Sequence, residues 1–248
     1  MIFSISFGLN QSNLFATQNN NFDDFGLISI MYHRFNENKY PSTNITLEVF
    51  KEQLEIIENQ GIKFIHPKNF RNSIISKKGE RKILLTIDDG LLSFYKNAWP
   101  LLKEKKIPFI LFVNTREVGS YNYMNWEQIL ELHNDKNVEI GNHSHSHEYL
   151  VDENKDTIKD DLLKSIEIFN NKLGTNSEFF SYPFGEYSLE FTQIVKDLGF
   201  KFAFGQHSGV IDETKNFYEL PRFPINEKYG EIKRFKNLMK TLPFKFKA

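Results

Sequence analysis

Apolar, β-branched and aromatic runs of strand length recur along the chain at 27–32, 62–66, 82–87, 107–113, 138–141, 178–182 and 200–204. Between them the apolar positions shift to helical spacing, which predicts helices near 46–60, 67–77, 93–106, 125–133, 154–173 and 188–198. Thr46 reads as the N-cap of the first helix and Gly61 as the residue just past its end. Seven strand–helix units in regular alternation predict an α/β fold with a parallel, barrel-like sheet. A further segment near 217–225 and a basic helix at about 229–241 finish the chain.

Composition adds a large core and removes several functions. Of 248 residues, 40% are hydrophobic and 25 are Phe. No Pro/Gly/Ser-rich linker divides residues 26–248, so they read as one domain. A formal net charge of −1 gives no ground for a nucleic-acid partner or a membrane surface. The absence of cysteine removes disulfides and thiolate ligands. Residues 1–9 are largely apolar and Leu14-Phe15-Ala16 could precede a cleavage site, yet the positive start of a signal peptide is missing. Residues 1–25 are therefore expected to be a disordered start or a remnant signal segment. The compartment stays open, with an extracytoplasmic one favoured over the cytoplasm. No other apolar stretch approaches the ~18–20 residues of a transmembrane segment. Oligomeric state is not legible.

Three fragments carry candidate chemistry: Thr86-Ile87-Asp88-Asp89-Gly90, His143-Ser144-His145-Ser146-His147, and Ser181-Tyr182-Pro183-Phe184-Gly185. Taken singly, each has a plain reading. Asp-Asp-Gly marks a turn, a His-x-x-x-His pair arises by chance on many surfaces, and Tyr-Pro-Phe-Gly is itself a turn. Together they are the parts of a hydrolytic metal site, in which zinc takes three His or carboxylate ligands and activates a water. Asp89, His143 and His147 would be the ligands, leaving Asp88 as general base. If 143–147 stays extended, the three histidines share a face; if it turns helical, His143 and His147 align without His145. Asp88, Asp89, His143, Pro183 and His207 all fall just past predicted strand ends, where β/α barrels keep their working residues.

The first fragment resembles the T-F-D-D-G motif of the polysaccharide deacetylase family (carbohydrate esterase family 4, the chitooligosaccharide deacetylase homology domain), with Ile87 for Phe. His143 to His147 match its H-S/T-x-x-H motif, and Pro183-Phe184-Gly185 match the end of R-x-P-Y/F-G. Leu27 to Arg34, Asn44-Ile-Thr, Phe50 to Leu54, Gly61-Ile-Lys-Phe, Tyr182 to Tyr187 and Leu220 to Pro224 are similar to the subgroup that de-N-acetylates poly-N-acetylglucosamine. The likeness spans roughly 26–226.

That resemblance implies a distorted seven-stranded (β/α) barrel of deacetylase type and a catalytic domain over 26–248. It implies one divalent ion, zinc foremost with Co²⁺, Ni²⁺ or Fe²⁺ as alternatives, on Asp89, His143 and His147. The substrate is an N-acetylated glycan: a water activated by the ion attacks the N-acetyl carbonyl, Asp88 takes the proton, and the Phe184 N–H stabilises the oxyanion. Tyr187, Pro183, Arg222 and His33 are the candidate substrate contacts. Two departures stand out. Ser181 replaces the Arg that orients the catalytic aspartate, so Arg222 or Arg34 would supply that charge. The carboxy-terminal Leu-x-His motif is missing, which makes His207 the candidate general acid. Acetyl-ester hydrolysis, a glycan-binding barrel without turnover, and a two-metal enzyme using His143 and His145 remain the alternatives.

Overall fold

The computed structural model describes residues 26–75 and 80–240. The expected segment 1–25 and the last residues of the helices expected at 67–77 and 229–241 lie outside the described residues.

The chain opens with β1 (Gly26–Tyr32), a small ladder of β2 (Arg34–Phe35) with β3 (Asn44–Ile45), and α1 (Leu47–Asn59). A strand stub, β4 (Lys63–Phe64), leads through a 3₁₀ turn at Pro67–Asn69 into α2 (Phe70–Ile74). Then strands and helices alternate: β5 (Arg81–Ile87), α3 (Trp99–Lys105), β6 (Phe109–Val113), α4 (Trp126–His133), β7 (Val138–Asn142) and α5 (Lys155–Leu173). The last elements are β8 (Phe179–Ser181), α6 (Leu189–Asp197), β9 (Phe202–Phe204), β10 (Phe223–Pro224) and α7 (Ile232–Lys240).

Seven strands lie on one parallel path, β10-β1-β5-β6-β7-β8-β9, which curls into a distorted, partly open barrel. Membership differs from the expected set in one place. The run 62–66 forms only a stub, because Pro67 cannot donate to a ladder, and β4 sits off the path. It occupies the edge of β5 at Lys82 and Ile83, just below where β6 pairs with Leu85 to Ile87. The segment expected near 217–225 supplies the seventh strand instead. It bonds to both open edges, through Phe204↔Leu220 on one side and Ile30↔Phe223 on the other.

Local chemistry accounts for most boundaries. The Thr46 hydroxyl accepts from Val49 N–H at the start of α1, and Asn125 with Gln128 forms a reciprocal capping box on α4. The helix expected over 93–106 is split. Residues Phe94–Ala98 form a π turn, closed by Trp99 N–H on Phe94 O, before α3 begins. Pro100 has no N–H to offer the preceding turn, so the ladder widens there.

Alternation along the strands sorts the core into layers. Ile83, Leu85 and Ile87 of β5, with Phe109, Leu111 and Val113 of β6, face the helix layer that includes α1, α3 and α4. Leu84, Ile110, Phe112, Phe179, Phe202 and Phe204 face inward and fill the barrel. Phe70 of α2 closes this cluster, its ring 4.8 Å from Phe202, 5.6 Å from Phe204 and 5.8 Å from Phe179, all edge-on or tilted. Among the described residues no helix is long and apolar enough to cross a membrane.

Phe70→Ala should therefore lower stability by about 3–5 kcal/mol, the usual cost of emptying a fully buried aromatic site. The check is the urea midpoint at constant m-value; an unmoved midpoint would show that the neighbouring rings collapse into the gap.

Candidate metal centre

Parallel register delivers the candidate residues to one edge. Tyr32 pairs with Ile87, Val113 with Asn142 and Ser181 with Phe204, so the next residues along, His33, Asp88, Asn114, His143, Tyr182 and Gly205, leave the sheet together. The chain stays in register for one step more, with Asp88 N–H on Tyr32 O (2.9 Å), His143 N–H on Val113 O (3.0 Å) and Tyr182 N–H on Phe204 O (3.1 Å).

Past that point the backbone turns sharply. Asp89, Ser144, His147 and Phe184 all hold positive φ (75°, 66°, 54° and 59°), four of the seven non-glycine residues that do so among those described. Such angles are uncommon outside glycine and persist where the surroundings over-determine them. The histidine segment is thus neither extended nor helical but a tight loop. Asn142 Oδ1 accepts from Ser144 N–H (2.9 Å), Ser144 Oγ from His147 N–H (3.0 Å), and the two oxygens of Asp161 on α5 accept from His145 and Ser146 N–H (2.8 and 2.9 Å). This winding sends His143 and His147 to the same point and turns His145 away, its Nδ1 2.8 Å from Thr115 Oγ1. His145 is thereby removed from any metal pair with His143.

The third fragment forms a 3₁₀ turn over Pro183–Gly185. Gly185 has φ 74°, and a Cβ there would lie 2.1 Å from the Gln206 Cβ, so the turn tolerates no side chain. Phe184 is 52% exposed and lays its ring 5.0 Å from His147 and 5.8 Å from Tyr149.

Asp89, His143 and His147 place one ligand atom each within 4.8 Å of the others. Asp89 Oδ1 lies 3.5 Å from His143 Nε2 and 3.3 Å from His147 Nε2. Ligand bonds of about 2.0–2.1 Å at tetrahedral angles would separate donors by about 3.3 Å, so these spacings fit a small divalent ion. The Asp89 Oδ1 atom is buried without a hydrogen-bond partner among the described residues, as expected of an oxygen reserved for a cation. His143 Nδ1 is 2.7 Å from Ser181 O, which can only accept; the proton therefore sits on Nδ1, and the Nε2 lone pair faces Asp89.

Asp88 is held differently. Arg222 NH1 donates to Oδ1 (2.7 Å) and NH2 to Oδ2 (2.9 Å), a bidentate pair with both partners 2% exposed or less. Ser181 Oγ donates to the same Oδ2 (3.1 Å) and accepts from Arg222 NH2 (2.8 Å), while Arg222 Nε donates to Gly205 O (2.9 Å). The small side chain at 181 leaves the space into which Arg222 reaches. Of the two arginines considered for this charge, Arg222 fills the place; Arg34 pairs with Glu37 and stacks on Tyr40.

The electrostatics follow from these contacts. Burial alone would raise the Asp88 carboxyl, but Arg222, then His143, outweigh it and hold it below the ordinary value. Asp89 is likewise penalised by burial and drawn well below its usual range by His143 and His147. His147 is lowered by burial but raised overall by Asp89, and His33 is lowered by burial against the opposing pull of Asp89 and Asp88.

A cleft of about 190 Å³ opens over the site. Asp88, Asp89, His143 and His147 line it on one side, with His33, Phe184, Gln206 and Asn226 around them. Three of the expected contacts and the expected general acid, His207, fall elsewhere. Arg222 is 1% exposed, with its donors turned inward to Asp88, so it serves the aspartate and offers nothing to a ligand. Pro183 is buried and does not line the cleft, its contribution being the turn. Tyr187 and His207 stand beside a second depression that meets the first at Phe184, Gly185 and Gln206. Asp161 and Gln206 were not legible from sequence: a charged helix position and a loop glutamine carry no local signal.

The model of the polysaccharide deacetylase family matches residues 75–203, just over half of the chain. A poly-beta-1,6-N-acetyl-D-glucosamine N-deacetylase of Staphylococcus aureus (strain MRSA252) is 26% identical over 227 residues, covering 84% of this chain and 78% of its own. Among solved structures, IcaB from Ammonifex degensii aligns with a TM-score of 0.78 at 24% identity, over 87% of this chain and 97% of that one. The Streptococcus pyogenes deacetylase PplD in complex with acetate aligns with a TM-score of 0.77 at 21% identity, over the same shares. The fold is therefore the deacetylase (β/α) barrel, its three rim fragments lie within the matched residues, and the chain belongs to the polysaccharide deacetylase family.

Proposed function

We propose that residues 26–248 form a metal-dependent deacetylase acting on N-acetyl groups of a poly-β-1,6-N-acetyl-D-glucosamine-like glycan, outside the cytoplasm where such polymers are met. The observation that carries this reading is the pairing of two differently held aspartates: Asp89 keeps an unbonded oxygen toward His143 and His147, while Asp88 is clamped by Arg222. A divalent ion on Asp89, His143 and His147, zinc first by its preference for imidazole and carboxylate, supplies an activated water and a Lewis acid for the acetyl carbonyl. Asp88 accepts the proton released as the carbonyl is attacked, and Arg222 with Ser181 fixes its orientation for that transfer. The Phe184 N–H, in the first turn of the 3₁₀ segment where backbone donors lack intrahelical partners, donates to the developing oxyanion.

The departing amine takes the proton that Asp88 accepted, and His33, kept neutral by burial, donates a hydrogen bond to that nitrogen. His33 lines the cleft that holds Asp88 and Asp89, whereas His207 lies outside it. Ser181 does not argue for a barrel without turnover, because Arg222 supplies the charge that position lacks.

Acetate release from β-1,6-linked N-acetylglucosamine oligomers, with and without chelator, tests the function directly. We expect one equivalent of metal per chain and release that chelator abolishes; Asp89→Asn and His147→Ala should lose the ion, and Asp88→Asn should keep it while turnover falls by roughly 10²–10⁴. Chelator-insensitive release, or full metal content in both ligand variants, would refute the site.

Arg222→Met leaves a buried carboxylate without its partner and should destabilise the fold by about 3–5 kcal/mol, most of it recovered in Arg222→Met/Asp88→Asn. Because Asp88 is lowered in the native state, its contribution is present above the ordinary carboxylate value of 3.8 and is lost as pH falls through the lower native value. Denaturation midpoints of the four proteins at neutral pH close the cycle, and strictly additive losses would deny the coupling.

His33→Ala should reduce hydrolysis of N-acetyl substrates by about 10²-fold or more and affect aryl acetates far less, since an aryloxide departs without help from a proton. Equal losses on both substrates would assign His33 to structure.

A further inference from the structure

The metal centre occupies the carboxyl ends of the strands. At the opposite, amino ends of β7, β8 and β9 lies a cavity of about 600 Å³, within the roughly 300–1,000 Å³ of small-molecule sites. Glu139, Phe179 and Phe202 line it from the strand starts, and Lys68 and Arg71 from the 3₁₀ turn and α2. It shares no lining residue with the cleft over the metal centre. Along β7 the two sites are four residues apart, from Glu139 to His143, or about 13 Å at ~3.3 Å per residue.

Its walls are fixed. Phe179 and Phe202 pair in register, their rings stacked 5.3 Å apart, with Phe70 edge-on to both. His66 Nδ1 accepts from Lys68 N–H (3.1 Å), which places the ring proton on Nε2, 2.6 Å from Lys136 O ahead of β7. That bond pins the turn carrying Lys68. On the other side, Lys201 and Phe202 N–H both donate to Glu178 O (2.8 and 3.1 Å), and Ser177 Oγ accepts from Phe179 N–H (3.1 Å).

The charges around this cavity do not all cancel. Glu178 and Lys201 pair with each other. Arg71 instead lies over the Phe202 and Phe217 rings, 5.2 Å from each centroid, which steadies the guanidinium and leaves its N–H donors unbonded among the described residues. Lys68, three positions earlier on the same wall, has no carboxylate partner among them either. Glu139 is partly buried and makes no hydrogen bond or ion pair among the described residues, and burial raises its carboxyl against the pull of Lys68. Two unpaired cations on one wall suit a doubly charged phosphate, and an unbonded carboxyl suits hydroxyl groups that donate to it.

We propose that this cavity binds a small organic phosphate, its phosphate group held by Lys68 and Arg71 and its hydroxyls by Glu139. That chemistry is common to free sugar phosphates and to nucleotides. An anion without hydroxyls would meet the two cations and leave Glu139 unbonded; a neutral sugar would do the reverse. The site stands independently of the deacetylase reading and needs no metal ion.

Calorimetric titration of the full chain with glucose 6-phosphate, uridine monophosphate, sulfate and glucose tests it. At least one of the two organic phosphates should bind one-to-one and at least tenfold tighter than sulfate or glucose, and which of them does so identifies the source. Lys68→Met and Arg71→Met should each weaken that binding at least tenfold, and Glu139→Leu should reduce it to the level of sulfate. Lys68 is exposed and hydrogen-bonds through its backbone alone among the described residues, so its variant keeps the test decisive even if Arg71→Met fails to fold. Binding must also persist in Asp89→Asn, which excludes capture of the phosphate by an ion at the metal centre. Organic phosphates no tighter than sulfate, affinity unchanged in Lys68→Met or Glu139→Leu, or loss of binding in Asp89→Asn would each overturn the site.

Discussion

The Arg222–Asp88 ion pair is the interaction on which the rest of the site depends. Removing two opposite charges from water costs several kcal/mol per ion, and only good geometry with further hydrogen bonds offsets it. Here both carboxylate oxygens are met by the guanidinium, Ser181 adds a third contact, and Gly205 O takes the Nε proton. The aromatic rings of Phe112 and Phe204 lie 5.5 and 5.9 Å from the guanidinium carbon, a favourable setting for a cation out of water. This pair also ties the segment that spans from β9 to β1 to the interior of the sheet, since Arg222 lies in that segment and Asp88 follows β5.

Around that pair, the two aspartates separate by backbone geometry alone. Asp88 continues the strand and points into the barrel mouth; Asp89 flips to positive φ and faces the histidines. A one-residue change of direction therefore divides two chemically identical groups into an anchored one and one with an oxygen left open. The histidine loop uses the same device, with left-handed residues at both ends of a four-residue winding and Asp161 collecting its free N–H groups. Such conformations cost of order 1–3 kcal/mol each. Convergence of Asp89, His143 and His147 gives that cost a purpose.

The barrel contributes rigidity more than chemistry. Its inward-facing aromatic residues pack into one buried cluster, and parallel register lines up the residues following Tyr32, Ile87, Val113 and Ser181. Positions such as Tyr32 and Ile87, far apart in sequence, are thereby fixed at ladder spacing. The second depression depends on the same scaffold, because Arg222 bonds the His207 carbonyl and Gly185 packs directly on Gln206.

The chain's apolar periodicity determined the alternation of strands and helices, and the residue types at strand ends determined which side chains could hold a metal. Those properties are local: a run of β-branched residues, a capping Thr46, an Asp-Asp-Gly turn. Assigning Asp89, His143 and His147 together needed motif resemblance as well, since spacing alone left His145 equally eligible if the segment were extended. Only the tertiary structure decided the rest. It replaced the stub at 63–64 by the strand at 223–224 in the curl, because closing a sheet depends on which distant edges remain unpaired. It wound 143–147 into a loop whose shape is set by Asp161 from another element. It brought Arg222 to Asp88 across 134 residues, moved His33 into the cleft and kept His207 outside it. Contacts between residues far apart in sequence leave no periodic trace in either partner, which is why the ligand types were legible in the sequence and their supports were not.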